Sequence, residues 1–397
     1  MRVEKAVRQR STIIPVLLCI VIVASVPAVA GSYEQTNLVS DIAGVARNTD
    51  VRPACNVQMP GGSAVPCLVN PWGIANSPSS PFWISDNGAG VSTLYDGAGN
   101  ARPLVVTIPP PAGSPAGTLS APTGIVFNGT SDFVISKNGV SAPAAFIFAT
   151  EDGTISGWSP KVDLNNAELV VDNSTNSATS VDHSVLGAVY KGLAIGSVGG
   201  ASYIYATNFR DGVVEVYDAG FHLVTSFTDN TVPDGFAPFG IQNVEGRLFI
   251  TFAKQNADKH DDVAGPHNGF VDVLDLARDG NDGPLERFAS EGVLNSPWGI
   301  ALAPAGFGQF SGHLLIGNFG DGRINAFNIH NGNARGPLKD FHQQPITISG
   351  LWALRFGGGA PNNVNGATNS LYFTAGIGDE SHGLFGMINV FQGCGAN

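Results

Sequence analysis

Pro71-Trp72-Gly73-Ile74 steps from proline and an aromatic residue into glycine and then an aliphatic residue. Variants return as Pro122-Thr123-Gly124-Ile125, Tyr190-Lys191-Gly192-Leu193, Pro238-Phe239-Gly240-Ile241, Pro297-Trp298-Gly299-Ile300 and Leu351-Trp352-Ala353-Leu354. Successive copies start 51, 68, 48, 59 and 54 residues apart, near the length of one four-stranded propeller blade per repeat. Six copies predict an all-β, six-bladed β-propeller of four-stranded antiparallel blades. The repeat glycine fits the crowded inner strands, where a missing side chain lets neighbouring backbones approach.

Each phrase opens an inner strand, and a second strand follows at 82–85, 146–150, 203–207, 248–252, 313–316 and 371–374, rich in aromatic and aliphatic residues. A third comes at 91–95, 154–158, 213–217, 270–274, 323–327 and 384–391, often after an Asp-Gly turn such as Asp152-Gly153. Outer strands are expected at 104–108, 168–171, 221–227, 285–288 and 338–341. The sixth blade lacks one, and Asn37–Ser40 can supply it, closing the ring and removing open edges. Phe133–Ser136 is an extra run without an assigned place, and a seventh blade is the alternative it leaves open.

Upstream of the repeats, Arg2, Lys5, Arg8 and Arg10 precede an apolar run at 13–26 and then Ala28-Val29-Ala30. That order predicts a signal peptide over 1–30, with an uncleaved anchor as the rival reading, leaving 31–397 as one propeller domain that is secreted or periplasmic and has no membrane segment after cleavage. Cleavage removes four basic residues and one acidic residue, taking the formal charge from −12 to −15. So acidic a surface repels phosphate backbones and excludes nucleic acid as a partner. Cys55 and Cys67 flank a Pro/Gly-rich loop and are expected to bridge, with Cys394 as the competing partner.

Antiparallel alternation puts the loop entering each inner strand and the loop leaving each second strand on one face of the disc. Trp72, Trp298 and Trp352 fall at that face, with Asp86, Asn87, Asn208, Arg210, Lys254 and Asn318 as candidate ligand-binding residues. Glu151, Asp152, Asp379 and Glu380 supply carboxylates suited to a hard cation such as calcium. Asp, Asn and Gly are also ordinary turn residues, so the same set can simply cap its own loops. The long loop of the fourth repeat carries His260 beside Asp261 and Asp262, with His267 following; His260 and His382 are the candidate acid–base or zinc-binding residues. Nucleophilic catalysis finds little support, because no Gly-x-Ser-x-Gly elbow is present and the mature cysteines lie outside the repeat cores. Asn128-Gly-Thr and Asn173-Ser-Thr match the glycosylation sequon.

The Pro-Trp-Gly-Ile openings and Asp-Gly-x-Ile third strands resemble NHL-type propeller repeats. Asn37-Leu-Val-Ser-Asp, Asn70-Pro-Trp-Gly-Ile, Phe146-Ile-Phe-Ala-Thr-Glu-Asp-Gly-Thr-Ile-Ser-Gly-Trp, Asn268-Gly-Phe-Val-Asp-Val and Gly383-Leu-Phe-Gly look like an uncharacterised family of secreted bacterial propellers. The resemblance implies fold and location and carries no activity. Tyr190-Lys191 and Leu351-Trp352-Ala353 depart from its Pro-x-Gly openings. Two functions remain in view. One is a monomeric scaffold that binds a small molecule, a peptide or a cell-surface component. The other is a calcium- or zinc-dependent hydrolase or lyase in which Glu151, Asn208, Asn318 and Asp379 hold the ion.

Overall fold

The computed structural model describes residues 31–52, 66–175 and 186–393. The leader, Cys55 and Cys394 lie outside them. Among the described residues, six antiparallel sheets follow one another around an axis as propeller blades. The inner strands are Pro71–Ala75, Pro122–Phe127, Tyr190–Val198, Phe236–Val244, Pro297–Leu302 and Leu351–Phe356. Each blade then runs outward through its second, third and outer strands in chain order. The sixth borrows its outer strand from the N-terminal segment: Tyr33–Ser40 pairs antiparallel with Leu384–Val390, from Tyr33 opposite Val390 to Ser40 opposite Leu384. The ring is closed by this pairing, as the sequence predicts.

The repeat glycines pack as close approach requires. A Cβ on Gly240 would sit 2.2 Å from the Trp298 carbonyl oxygen, and one on Gly299 would sit 2.4 Å from that of Trp352. Hydroxyls then tie blade to blade, with Thr123 Oγ1 donating to the Tyr190 carbonyl at 2.7 Å and Thr207 Oγ1 to that of Phe239 at 2.8 Å. The aliphatic residue after each glycine or alanine lines the axis: Ile74, Ile125, Leu193, Ile241, Ile300 and Leu354.

Two local readings change. Phe133–Ser136 seeds no seventh blade: Val134–Lys137 and Val140–Pro143 form a separate hairpin attached to blade 2. Phe133 anchors it, fully buried against Phe221 of blade 3. The outer strand of blade 5 is Ala334–Pro337 rather than 338–341. Leu338 is buried just beyond it while Phe341 is 45% exposed, and Pro337 sits on the sheet edge, where its missing N–H costs no ladder bond.

Candidate functional site

At the start of the inner strands the six openings place Trp72, Thr123, Lys191, Phe239, Trp298 and Trp352 around the axis. Sequence reading places the three tryptophans at the loop face as ligand-binding candidates, and the structure packs them into a plug. Trp72, Trp298 and Trp352 are 2%, 9% and 1% exposed. Trp72 stacks on Trp352 with ring centroids 3.5 Å apart, and Trp298 meets both edge-on at 5.9 and 5.8 Å. Phe319 covers the other side of Trp352 at 4.1 Å. Such contacts add to simple area burial.

Over the plug lies Lys191, 2% exposed, its Nζ 5.1 Å from the Trp72 ring centroid. A buried ammonium needs compensating charge. Glu151 Oε1 bonds it directly, and Asp261 Oδ1 is 3.4 Å away. Hydrogen bonds carry the arrangement around the axis. Asn87 Nδ2 donates to Glu151 Oε2 at 2.8 Å, Asn70 Nδ2 to Asn87 Oδ1 at 3.3 Å, and Trp352 Nε1 to Asn70 Oδ1 at 3.0 Å. On the other side, Trp298 Nε1 donates to the Lys191 carbonyl at 3.1 Å. Asn70 holds φ +44°, a left-handed conformation that asparagine tolerates better than most residues.

Negative charge exceeds positive here. Glu151, Asp261, Asp262 and Glu380 all act on Lys191. Burial, and then the like charge of Glu151, pushes the Glu380 carboxyl up to about 7. Burial also raises Asp262. The Asp261 carboxyl moves the other way, held at about 2 by its bond to His260 and then by Lys191. His260 Nδ1 lies 2.8 Å from Asp261 Oδ1, and one ligand atom each of Glu151, His260 and Asp261 fall within 4.8 Å of one another.

The other candidates are placed differently. Asp86 is fully buried between blades, turned toward Thr93 and Arg52, where burial holds its carboxyl well above the usual range. Asn208 donates to Asp211 and to Glu215, and Asn318 to Asp321 and the Val293 carbonyl, so both cap their own loops. These residues end second strands, and Asp86 and Asn208 reach a buried polar position on the third, occupied by Thr93, Ser156, Glu215, Asp272 and Asn325 in blades 1 to 5. The cation set of Glu151, Asn208, Asn318 and Asp379 is therefore not assembled. Asp379 is in an exposed turn with φ +52°, and Lys254 is exposed. Asp152 accepts from the Ala121 amide, and Arg210 donates to the Gly187 carbonyl at the edge of the cluster. His382 does not join His260; its Nδ1 lies 2.7 Å from Asp41 Oδ2, tying the closing strand to blade 6. His267 is exposed. Both sequon asparagines are engaged: Asn128 donates to the Asp132 and Ala144 carbonyls, and Asn173 to the hydroxyls of Tyr190 and Tyr217. Cys67 is disulfide-bonded, its partner lying outside the described residues.

Lys191 and Asn70 are the two site residues that the sequence reading passed over. The signal for Lys191 was available: a cation stands where four of the six openings carry an aromatic residue. Local conflict with a repeat of this kind marks functional or strained positions.

No family model matches the chain. Uncharacterized protein R648 of Acanthamoeba polyphaga mimivirus is 31% identical over 331 residues, covering 81% of this chain and 75% of that protein. Uncharacterized protein L690 of the same virus is 31% identical over 330 residues, covering 81% and 80%. These relatives are viral, and the bacterial membership implied by the sequence resemblance has no support among them. Among solved structures, virginiamycin B lyase from Staphylococcus aureus is 15% identical with a TM-score of 0.44, covering 81% of this chain and 95% of that one. A gluconolactonase from Xanthomonas campestris is 14% identical with a TM-score of 0.48, covering 93% and 98%. Neither likeness bears on ligand or reaction.

Proposed function

We propose that this chain, which belongs to the family of the mimivirus proteins R648 and L690, is a binding propeller whose acidic axial floor receives a cationic group. The group is an amine or guanidinium carried by a small molecule, a peptide or a surface component. The observation that carries this reading is the excess of carboxylates: Glu151, Asp261, Asp262 and Glu380 act on the single ammonium of Lys191. A second cation relieves that repulsion, and an anionic ligand aggravates it. The tryptophan plug fills the axis below, so the site is a floor on which a projecting group rests.

Calorimetric titration with spermidine at low ionic strength tests it. The wild type is expected to bind, with Glu380→Gln and Glu151→Gln weakening binding at least about tenfold, equivalent to ~1.4 kcal/mol. Asp282→Asn, an exposed acid on blade 4, controls for loss of one charge and is expected to change little. Equal weakening by all three, or no binding by the wild type, rejects the reading.

A metal-dependent hydrolase or lyase is the second reading, favoured by the spacing of Glu151, His260 and Asp261. These residues could hold a zinc ion through one nitrogen and two oxygens. The ammonium of Lys191 already pairs with two of the three, so a divalent ion would have to displace it. Stoichiometric zinc in the purified protein, lost in His260→Ala, would establish this alternative over the first. The folded domain is assigned to an oxidising compartment after loss of residues 1–30, in keeping with the disulfide at Cys67. N-terminal sequencing of the exported chain is expected to begin at Gly31, and retention of the leader would refute that assignment.

A further inference from the structure

The inner strands begin on the face that carries Lys191, so their far ends open on the opposite face. There the axis widens into a cavity of about 260 Å³ lined by Val244, Ile300, Ala301, Leu302, Leu354 and Phe356, with Gln242, Asn243, Glu245 and Arg355 also at its wall. It shares Gln242, Ile300 and Leu354 with the narrow void inside the hub. The aliphatic ring around that void is slightly accessible in every blade, between 4% and 7%. The mouth sets an apolar wall from blades 4 to 6 beside a polar edge made by Gln242, Asn243, Glu245 and Arg355.

One charge breaks the pattern. Arg355 is part-buried, and its Nε and Nη2 bond only to the side chain and carbonyl oxygen of Asn76. Among the described residues it forms no ion pair, although five other arginines of this acidic chain pair with carboxylates. Burial pushes the guanidinium down to about 10, so it stays charged at neutral pH. Its Nη1 has no acceptor among the described residues. A part-buried guanidinium with a nitrogen left free of protein acceptors is open to a ligand anion, and its planar fork suits a carboxylate.

We propose that this opposite mouth binds an apolar carboxylate, its body lying among Val244, Ala301, Leu302 and Phe356 and its carboxylate on Arg355. Wall and charge select together: an apolar molecule without an anion leaves Arg355 unpaired, and a small hydrophilic anion leaves the wall wet. The site is independent of the acidic floor, which lies beyond the tryptophan plug and would repel such a ligand.

Titration with octanoate, followed by calorimetry and by tryptophan fluorescence, tests the proposal, with octanamide as the neutral isostere. Octanoate is expected to bind at least tenfold more tightly than octanamide to the wild type. Arg355→Gln is expected to remove that preference without altering spermidine binding on the other face. Ala301→Trp, which fills the mouth, is expected to abolish octanoate binding. Octanoate and octanamide binding alike, no octanoate binding at millimolar concentration, or a folded Arg355→Gln variant that keeps wild-type affinity would each overturn the proposal. The wild-type contrast decides the matter even if a variant does not fold.

Discussion

Replacing Lys191 by methionine is expected to destabilise the protein by about 3–5 kcal/mol, the cost typical of breaking a buried ion pair from one side. The magnitude follows from what is left behind. The Glu151 side chain is 12% exposed and bonded to Asn87, so it cannot turn to water without breaking the ring of bonds around the axis. Asp261 is 61% exposed and re-solvates easily, so its share of the loss is small. Glu151→Gln added to Lys191→Met removes the orphaned charge and keeps an acceptor for Asn87. The double variant is therefore expected to recover most of the lost stability. Urea unfolding of the single and double variants measures both steps. A Lys191→Met variant within about 0.5 kcal/mol of wild type, the range of ordinary surface substitutions, would remove Lys191 from the centre of the site.

Trp352→Ala is expected to cost a similar amount, about 3–5 kcal/mol, for a different reason. Trp352 stacks between Trp72 and Phe319, meets Trp298 edge-on, and donates to Asn70. Truncation leaves a cavity on the axis and an unpaired Asn70 Oδ1 in the same step. Trp352→Phe keeps most of the stacking and loses the hydrogen bond, so its cost is expected near 1–2 kcal/mol. Thermal unfolding separates the two variants, with the alanine variant melting roughly 5 °C below wild type. Equal melting of wild type and Trp352→Ala would mean that the tryptophans form no structural plug.

Much of this architecture is legible in the sequence because one physical demand repeats. Each inner strand presses its backbone against the next, so Gly73, Gly124, Gly192, Gly240 and Gly299 recur, and blade 6 manages with Ala353. Strand alternation then sorts loops onto faces, which is why Glu151, Asn87, Trp72, Trp298 and Trp352 were found together. It does not say which way a side chain turns at the end of a strand. Asp86, Asn208 and Asn318 have the same sequence surroundings as an axis-facing group, yet Asp86 and Asn208 turn toward Thr93 and Glu215 of the third strands and Asn318 bonds Asp321 and the Val293 carbonyl. Lys191 escaped notice for the opposite reason: it reads as a flaw in the repeat, and only the packing of the hub shows a cation set among aromatic rings and carboxylates. The approach of Glu151 to His260 and Asp261 is equally hidden, since Glu151 comes from another blade.

The most direct measurement is the proton count of cation binding at the acidic floor. Glu380 titrates at about 7 because burial and the surrounding carboxylates favour its neutral form. An added cation favours the ionised form, so its pKa falls, a proton leaves, and apparent affinity rises as pH increases through 7. At pH 7, spermidine titrations in buffers of different ionisation enthalpy are expected to show release of about 0.5 proton per site, and Glu380→Gln is expected to show none. Spermidine binding without proton release, or with the same release in Glu380→Gln, would contradict the account.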